Sequence, residues 1–214
     1  MLSLTFDDGP DARWTPRVLE ELQRLRLHGT FFVVGERVQA MPAIARAVIE
    51  AGHELQLHCH RHVRHTELCE GEIERDTDTA LAVLAQIGVR PTRWRTPWGV
   101  CTDATMCVAD ARGLELVHWS IDTHDWRGDP AVAMLARARP LLAGGGVVLM
   151  HDALGPGAVR EGCENTVELL GGLVAAASEQ QLNIGPLSLQ SAAVATPASE
   201  NAPIPELASV ELRG

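Results

Sequence analysis

No two of the five cysteines, Cys59, Cys69, Cys101, Cys107 and Cys163, have Cys-x-x-Cys spacing, and their number is odd. That argues against a zinc ribbon and against a disulfide framework, so free thiols in a reducing compartment are expected. Positive charge is also scarce. Lys and Arg total 18 against 28 Asp and Glu, for a net charge of −10. A protein that tracks nucleic-acid phosphates or docks on an anionic membrane needs the opposite balance, so neither partner is expected. No apolar run reaches the ~18 residues of a membrane-crossing helix. Met1-Leu2-Ser3-Leu4 runs directly into an acidic motif, without the basic start and apolar stretch of a signal peptide, so a cytoplasmic location is expected. Tyrosine is absent and phenylalanine limited to three residues, against five tryptophans. Two of these tryptophans adjoin candidate catalytic residues.

A chain of 214 residues, 46% of them hydrophobic, suits one domain with a sizeable core. Strand-like runs alternate with helical patterns. Strands are expected at Leu2 to Phe6, Thr30 to Val34, Glu54 to Leu57, Thr92 to Arg95, Leu114 to Ser120, Val147 to Met150 and Ile184 to Leu189. Between them the spacing predicts helices: one opened by Thr15-Pro16 as N-cap and first-turn proline, then Pro42 to Ala51, Glu70 to Ile87, Asp103 to Ala111, Pro130 to Leu142 and Asn165 to Gln181. Repeated βα units imply a parallel α/β sheet, either closed as a barrel or open and doubly wound. From about Gln190 the composition shifts to Ala, Pro, Ser and Glu, which reads as a flexible tail.

The chemistry gathers where strands end. In Thr5-Phe6-Asp7-Asp8-Gly9-Pro10, two adjacent carboxylates close a strand-like run and Gly-Pro stops it. Adjacent like charges repel, and a cation on one of them would relieve that and leave the other free as a base. His58 and His62 follow another strand end, four residues apart. An i, i+4 pair projects from one face of a helical turn, and two imidazoles so placed can share a metal. Asp8 as a third ligand would leave positions open for water and substrate, as catalytic zinc needs. His60 is the rival ligand, and a plain surface histidine cluster is the alternative. Arg95-Thr96-Pro97-Trp98-Gly99 closes a further strand. Its arginine can pair with a carboxylate, and its stiff loop can present a backbone N–H to an oxyanion. Asp122, Asp125 and Trp126 end the next strand, and Leu149-Met150-His151 a later one. A histidine at that tip is well placed as a general acid.

Five ordered segments carry a resemblance: Thr-Phe-Asp-Asp-Gly-Pro (5–10), His-x-x-x-His (58–62), Arg-x-Pro-Trp-Gly (95–99), Asp-x-x-Asp-Trp (122–126) and Leu-x-His (149–151). The chain resembles the NodB-homology polysaccharide deacetylases, carbohydrate esterase family 4, and looks closest to the NodB-type chitooligosaccharide deacetylases. The resemblance implies a distorted (β/α)7 barrel over residues 1–189, with 190–214 as an Ala/Pro/Ser-rich tail. It implies Asp8, His58 and His62 as ligands of a divalent metal, zinc or else cobalt or nickel. It further implies Asp7 as general base, Arg95 orienting Asp7, the Trp98 N–H as oxyanion donor, His151 as acid and Asp125 tuning His151, ahead of Asp122. Trp126 and Leu149 would line the acetyl or sugar pocket. The sequence departs from the family pattern at Leu57, Cys59 and Trp98, where Asn, Ser or Thr, and Tyr are usual. The leading expectation is a metal-dependent N-deacetylase acting on a small soluble N-acetylhexosamine glycan or glycoconjugate. A deformylase or amidase on a non-glycan substrate and a catalytically silent sugar-binding module are the two rivals.

Overall fold

The computed structural model describes residues 1–190; apart from Gln190, the tail expected over 190–214 lies outside them. The first strand, β1 (Leu2–Asp7), is buried along its whole length. Alternation along a strand sends Leu2, Leu4 and Phe6 to one face and Ser3, Thr5 and Asp7 to the other. The first set joins the main core with Val18, Leu22, Leu169, Leu170 and Leu173. Full burial of each such side chain contributes roughly 1.5–3 kcal/mol. The second set faces a more polar interior, where Thr5 accepts a hydrogen bond from Arg95.

Six further strands join β1 in one parallel sheet: β2 (Thr30–Val34), β3 (Glu54–Cys59), β4 (Arg93–Trp94), β5 (Glu115–Leu116), β6 (Ile121–Asp122) and β7 (Gly146–His151). Their order is β5-β4-β3-β2-β1-β7-β6. The two edge strands, β5 and β6, are consecutive in the chain, with only Val117–Ser120 between them. A flat sheet of this order would hold its edges about 29 Å apart, at about 4.8 Å per strand. The connection reaches ~17 Å at full stretch. The sheet is therefore rolled, and Val117–Ser120 crosses the gap. The Val117 N–H donates to Trp94 O on one side at 2.9 Å, and the Ser120 N–H to Val147 O on the other at 3.1 Å. This is the distorted seven-stranded α/β barrel, and all its strand C-termini open on one rim.

The helices are α1 (Trp14–Leu25), α2 (Gly35–Ala40), α3 (Pro42–Glu50), α4 (Glu70–Gln86), α5 (Asp103–Arg112), α6 (Ala131–Ala138) and α7 (Glu164–Glu179). Four expectations need correction. Ile184 to Leu189 is not a strand: Ile184 makes one bridge to Leu2, and Leu187–Leu189 is a 3-10 turn. Pro186 has no N–H to continue a ladder. Leu114 to Ser120 is cut to the two residues of β5, because the chain must leave that edge to reach β6. Helix α2 went unread, since its six residues bury only Gly35 and Val38. Thr15 does not cap α1. The cap position is Arg13, which makes no side-chain cap, and Asp11, two residues earlier, accepts the N–H groups of Arg13 and Trp14 at 2.8 Å each.

Candidate active site

The two adjacent carboxylates point to different partners. Asp7 ends β1 as an ordinary strand residue, whereas Asp8 has φ +76°. That left-handed turn, which Asp tolerates better than most residues, breaks the strand alternation and lets both carboxylates serve the same rim. Asp7 pairs with Arg95 at 2.7 Å. The arginine is fully buried; it also donates to Thr5 Oγ1 and His118 O, and it lies 4.2 Å over the Phe32 ring. A buried pair of this kind costs about 3–5 kcal/mol when one partner is removed.

Asp8, His58 and His62 bring three donor atoms within 4.8 Å of one another. Asp8 Oδ1 lies 3.2 Å from His62 Nε2 and 3.4 Å from His58 Nε2. It is buried and makes no aligned hydrogen bond. Metal–donor bonds of about 2.0–2.1 Å in a tetrahedron put the donors about 3.3 Å apart, so this spacing and the orphaned oxygen both fit a divalent cation. Burial alone would raise the Asp8 carboxyl, but the two imidazoles hold it well below the usual carboxylate range.

The histidines do not share a helical turn, which corrects the spacing argument. His58 lies within β3, where the register steps from Val33↔Leu57 to Val34↔Cys59 and leaves His58 as the extra residue of a bulge. His62 lies on the loop that follows. Asp76 of α4 shapes that loop by accepting the N–H groups of His60 at 2.7 Å and Arg61 at 3.0 Å. His60 stands outside the cluster, with its ring against Gly35. His58 Nδ1 donates to Arg95 O at 2.6 Å, and this fixes Nε2 as the free donor. Arg95 thus holds Asp7 with its guanidinium and a candidate ligand with its carbonyl. Leu57 and Cys59 are both buried, and Leu57 joins the main core. A Cβ at Gly155 would collide with the Asp8 carboxylate.

On the next strand, His151 lies opposite Asp7 in the β1–β7 register. Its Nδ1 donates to Asp125 Oδ1 at 2.7 Å, and its backbone N–H to Asp125 Oδ2 at 2.9 Å. The second oxygen also accepts from Thr166 at 2.7 Å and Arg160 at 2.9 Å. Burial alone would lower His151, but the Asp125 carboxylate outweighs it and raises the imidazole to about 9. Burial likewise opposes ionisation of Asp125, yet His151 and Arg160 bring it down to about 2. Asp122 instead accepts the His124 N–H at 2.7 Å. Leu149 is 4% exposed within β7, and Trp126 is half-buried beside His124. Trp98 has φ +53° and packs against His62.

Sequence reading missed Arg160, Thr166, Asp76 and Asp152. The Asp152 carboxyl, pushed up to about 7 chiefly by burial, accepts a hydrogen bond from Thr15 and sits against Gly9. Only the position of Asp152, directly after His151, offered a signal.

Fold and site together define a rolled parallel α/β barrel whose strand ends carry a carboxylate–imidazole triad, flanked by an aspartate–arginine pair and a histidine–aspartate pair. The family pattern described as Polysaccharide deacetylase matches residues 1–117. A chitooligosaccharide deacetylase of Bradyrhizobium sp. (strain ANU 289) is 34% identical over 197 residues, covering 86% of this chain and 87% of that one. The peptidoglycan-N-acetylglucosamine deacetylase PgdA of Listeria monocytogenes serotype 1/2a is 36% identical over 152 residues, or 71% of this chain. The match spans only 32% of that longer protein. A family 4 carbohydrate esterase from Streptomyces lividans, solved with acetate, superposes with a TM-score of 0.77 at 27% identity, over 86% of this chain and 91% of that one. The chain belongs to the polysaccharide deacetylase family, carbohydrate esterase family 4. Among the described residues no helix is long and apolar enough to cross a membrane.

Proposed function

We propose that the chain is a divalent-metal-dependent N-deacetylase that hydrolyses the acetamide of N-acetylhexosamine in a short oligosaccharide or glycoconjugate. One observation carries the reading: Asp7, paired with Arg95, and His151, raised to about 9, lie opposite each other in register on neighbouring strands, beside the Asp8–His58–His62 triad. Amide hydrolysis needs a proton taken from water and a proton given to a poor amine leaving group, and these two residues supply the two roles. Asp8, His58 and His62 would hold the cation, with zinc the best match to one carboxylate and two imidazoles. A bound divalent ion supplies a water of pKa near 7 and polarises the acyl oxygen.

Asp7 takes the proton of the attacking water as it adds to the acetamide carbon. Arg95 fixes the orientation of Asp7 throughout. The Trp98 amide N–H has no hydrogen-bond partner among the described residues, which leaves it free to donate to the developing oxyanion. Loss of one such donor typically costs about 10²–10³ in rate. His151 then gives its Nε2 proton to the amine nitrogen as the C–N bond breaks, releasing acetate and the free amino sugar. Trp126 and Leu149 line the acetyl or sugar pocket.

An oligosaccharide acceptor is favoured because the Bradyrhizobium chitooligosaccharide deacetylase aligns along nearly all of both chains. The amidase reading drew on Leu57, Cys59 and Trp98. Leu57 belongs to the main core and Asp76 holds the loop, so Cys59 and Trp98 are what still bear on it. The test is acetate release from chitooligosaccharides of one to six units by metal-stripped and zinc- or cobalt-reloaded protein. Metal-dependent acetate is expected. A stoichiometric metal with no acetate, together with turnover of simple N-formyl amides, would replace this reading with the amidase.

A further inference from the structure

His58 and His62 are held in different ways. His58 has the usual support for a metal-binding imidazole, an acceptor for its second ring nitrogen, in Arg95 O at 2.6 Å. His62 Nδ1 is buried and has no hydrogen-bond partner. Its backbone is fixed by a tight turn, in which the Val63 N–H donates to Arg61 O at 2.8 Å. That leaves the two side-chain torsions free to misdirect the ring. The Trp98 ring lies against it, with centroids 4.2 Å apart and planes at 76°. Arg64, two residues beyond His62, places its guanidinium carbon 4.3 Å over the same indole. No carboxylate pairs with Arg64 among the described residues. The indole is thus gripped by two side chains of the loop that carries His62. Its own backbone takes the left-handed conformation at φ +53°, ψ +15°.

We propose that Trp98, clamped by Arg64, is the positioning residue for the His62 imidazole, and does by packing what the Arg95 carbonyl does for His58 by hydrogen bonding. Cation–π attraction fixes the indole, and the indole restricts His62 to the orientation that aims Nε2 at Asp8. The Trp98 side chain therefore serves the metal ligand, while its amide faces the substrate. The inference rests on the reading of Asp8, His58 and His62 as a metal site.

The test is calorimetric titration of the metal-free protein with zinc and with cobalt, the cobalt spectrum reporting coordination geometry. Melting of the metal-free variants checks the fold. Trp98→Ala is expected to weaken metal binding about 10–100-fold, the range for lost outer partners of a ligand. Trp98→Phe keeps a ring against His62 and is expected to restore most of the affinity. Arg64→Met, which keeps the Trp98 ring but removes the cation that fixes it, is expected to weaken it several-fold. Wild-type metal affinity and cobalt spectrum in Trp98→Ala and Arg64→Met would overturn the proposal and leave the metal site standing. Failure of the wild-type protein to bind either metal would overturn the metal site and this inference with it.

Discussion

The two halves of the rim are built on different principles. On the His151 side, both Asp125 oxygens are occupied, by the His151 ring and backbone, Thr166 and Arg160. On the side of the Asp8–His58–His62 cluster, Asp8 Oδ1 and His62 Nδ1 are buried without hydrogen-bond partners. The first half is a hydrogen-bond network in which the protein satisfies both Asp125 oxygens by itself, leaving only Arg160 Nε without a partner. The second is a set of donors facing a common point. A site that must always present one proton benefits from a rigid network. A site that must exchange water and substrate around an ion needs donors that nothing else satisfies.

The largest expected effect lies on the open side. His58→Ala should abolish both stoichiometric metal and deacetylation, as read by metal analysis and acetate release. Metal retained at wild-type affinity would mean that His60 or another group completes the site. Next is the closed side. Arg160→Met leaves Asp125 buried beside a lost cation and should cost about 3–5 kcal/mol of stability in urea unfolding, with metal affinity little changed. A loss below about 1 kcal/mol would show that the network is not closed through Arg160. Smaller than either in effect, Asp76→Ala frees the His60–Arg61 loop. It should weaken metal binding about 10–100-fold and, by leaving two backbone N–H groups unpaired, lower stability in urea unfolding by about 1–3 kcal/mol.

The smallest effect sharpens the comparison through pH in the metal-free protein. His151 rises from 6.5 to about 9 on folding, so its contribution is complete below about pH 6.5 and is lost as pH climbs through about 9. Asp125 falls from 3.8 to about 2, so its contribution is complete above about pH 3.8 and is lost as pH drops through about 2. The pair therefore stabilises most between these limits, at about pH 4 to 6.5. Urea midpoints of the wild type should decline from pH 6.5 to 9, and His151→Gln should flatten that limb. An equal decline in both proteins would place the titration elsewhere.

The legible part of this molecule is the part written in strand ends. Asp7, Asp8, Arg95, Asp125 and His151 all sit where an apolar run meets a turn, so order and spacing disclosed them. Spacing misled at His58 and His62. Four residues apart looks the same in a helical turn as in a bulged strand followed by a loop, and only Asp76, on a separate helix, selects the second. Arg160 and Thr166 were unreadable because their roles arise from the packing of α7 and its preceding loop against the rim, at sequence separations of 35 and 41 from Asp125. The two-residue strands β5 and β6 are too short for periodicity to show. They exist because a rolled sheet has to be bridged by Val117–Ser120. Ile184 to Leu189 has strand-like composition, but it meets β1 only at Leu2.

The separation of roles between the adjacent carboxylates is the central claim, and Asp7→Asn tests it most directly. Metal content and acetate release from chitooligosaccharides should be measured on one preparation. The account predicts a full complement of zinc with turnover reduced by about 10²–10⁴, the usual weight of a general base. Loss of the metal, or acetate release at the wild-type rate, would contradict it.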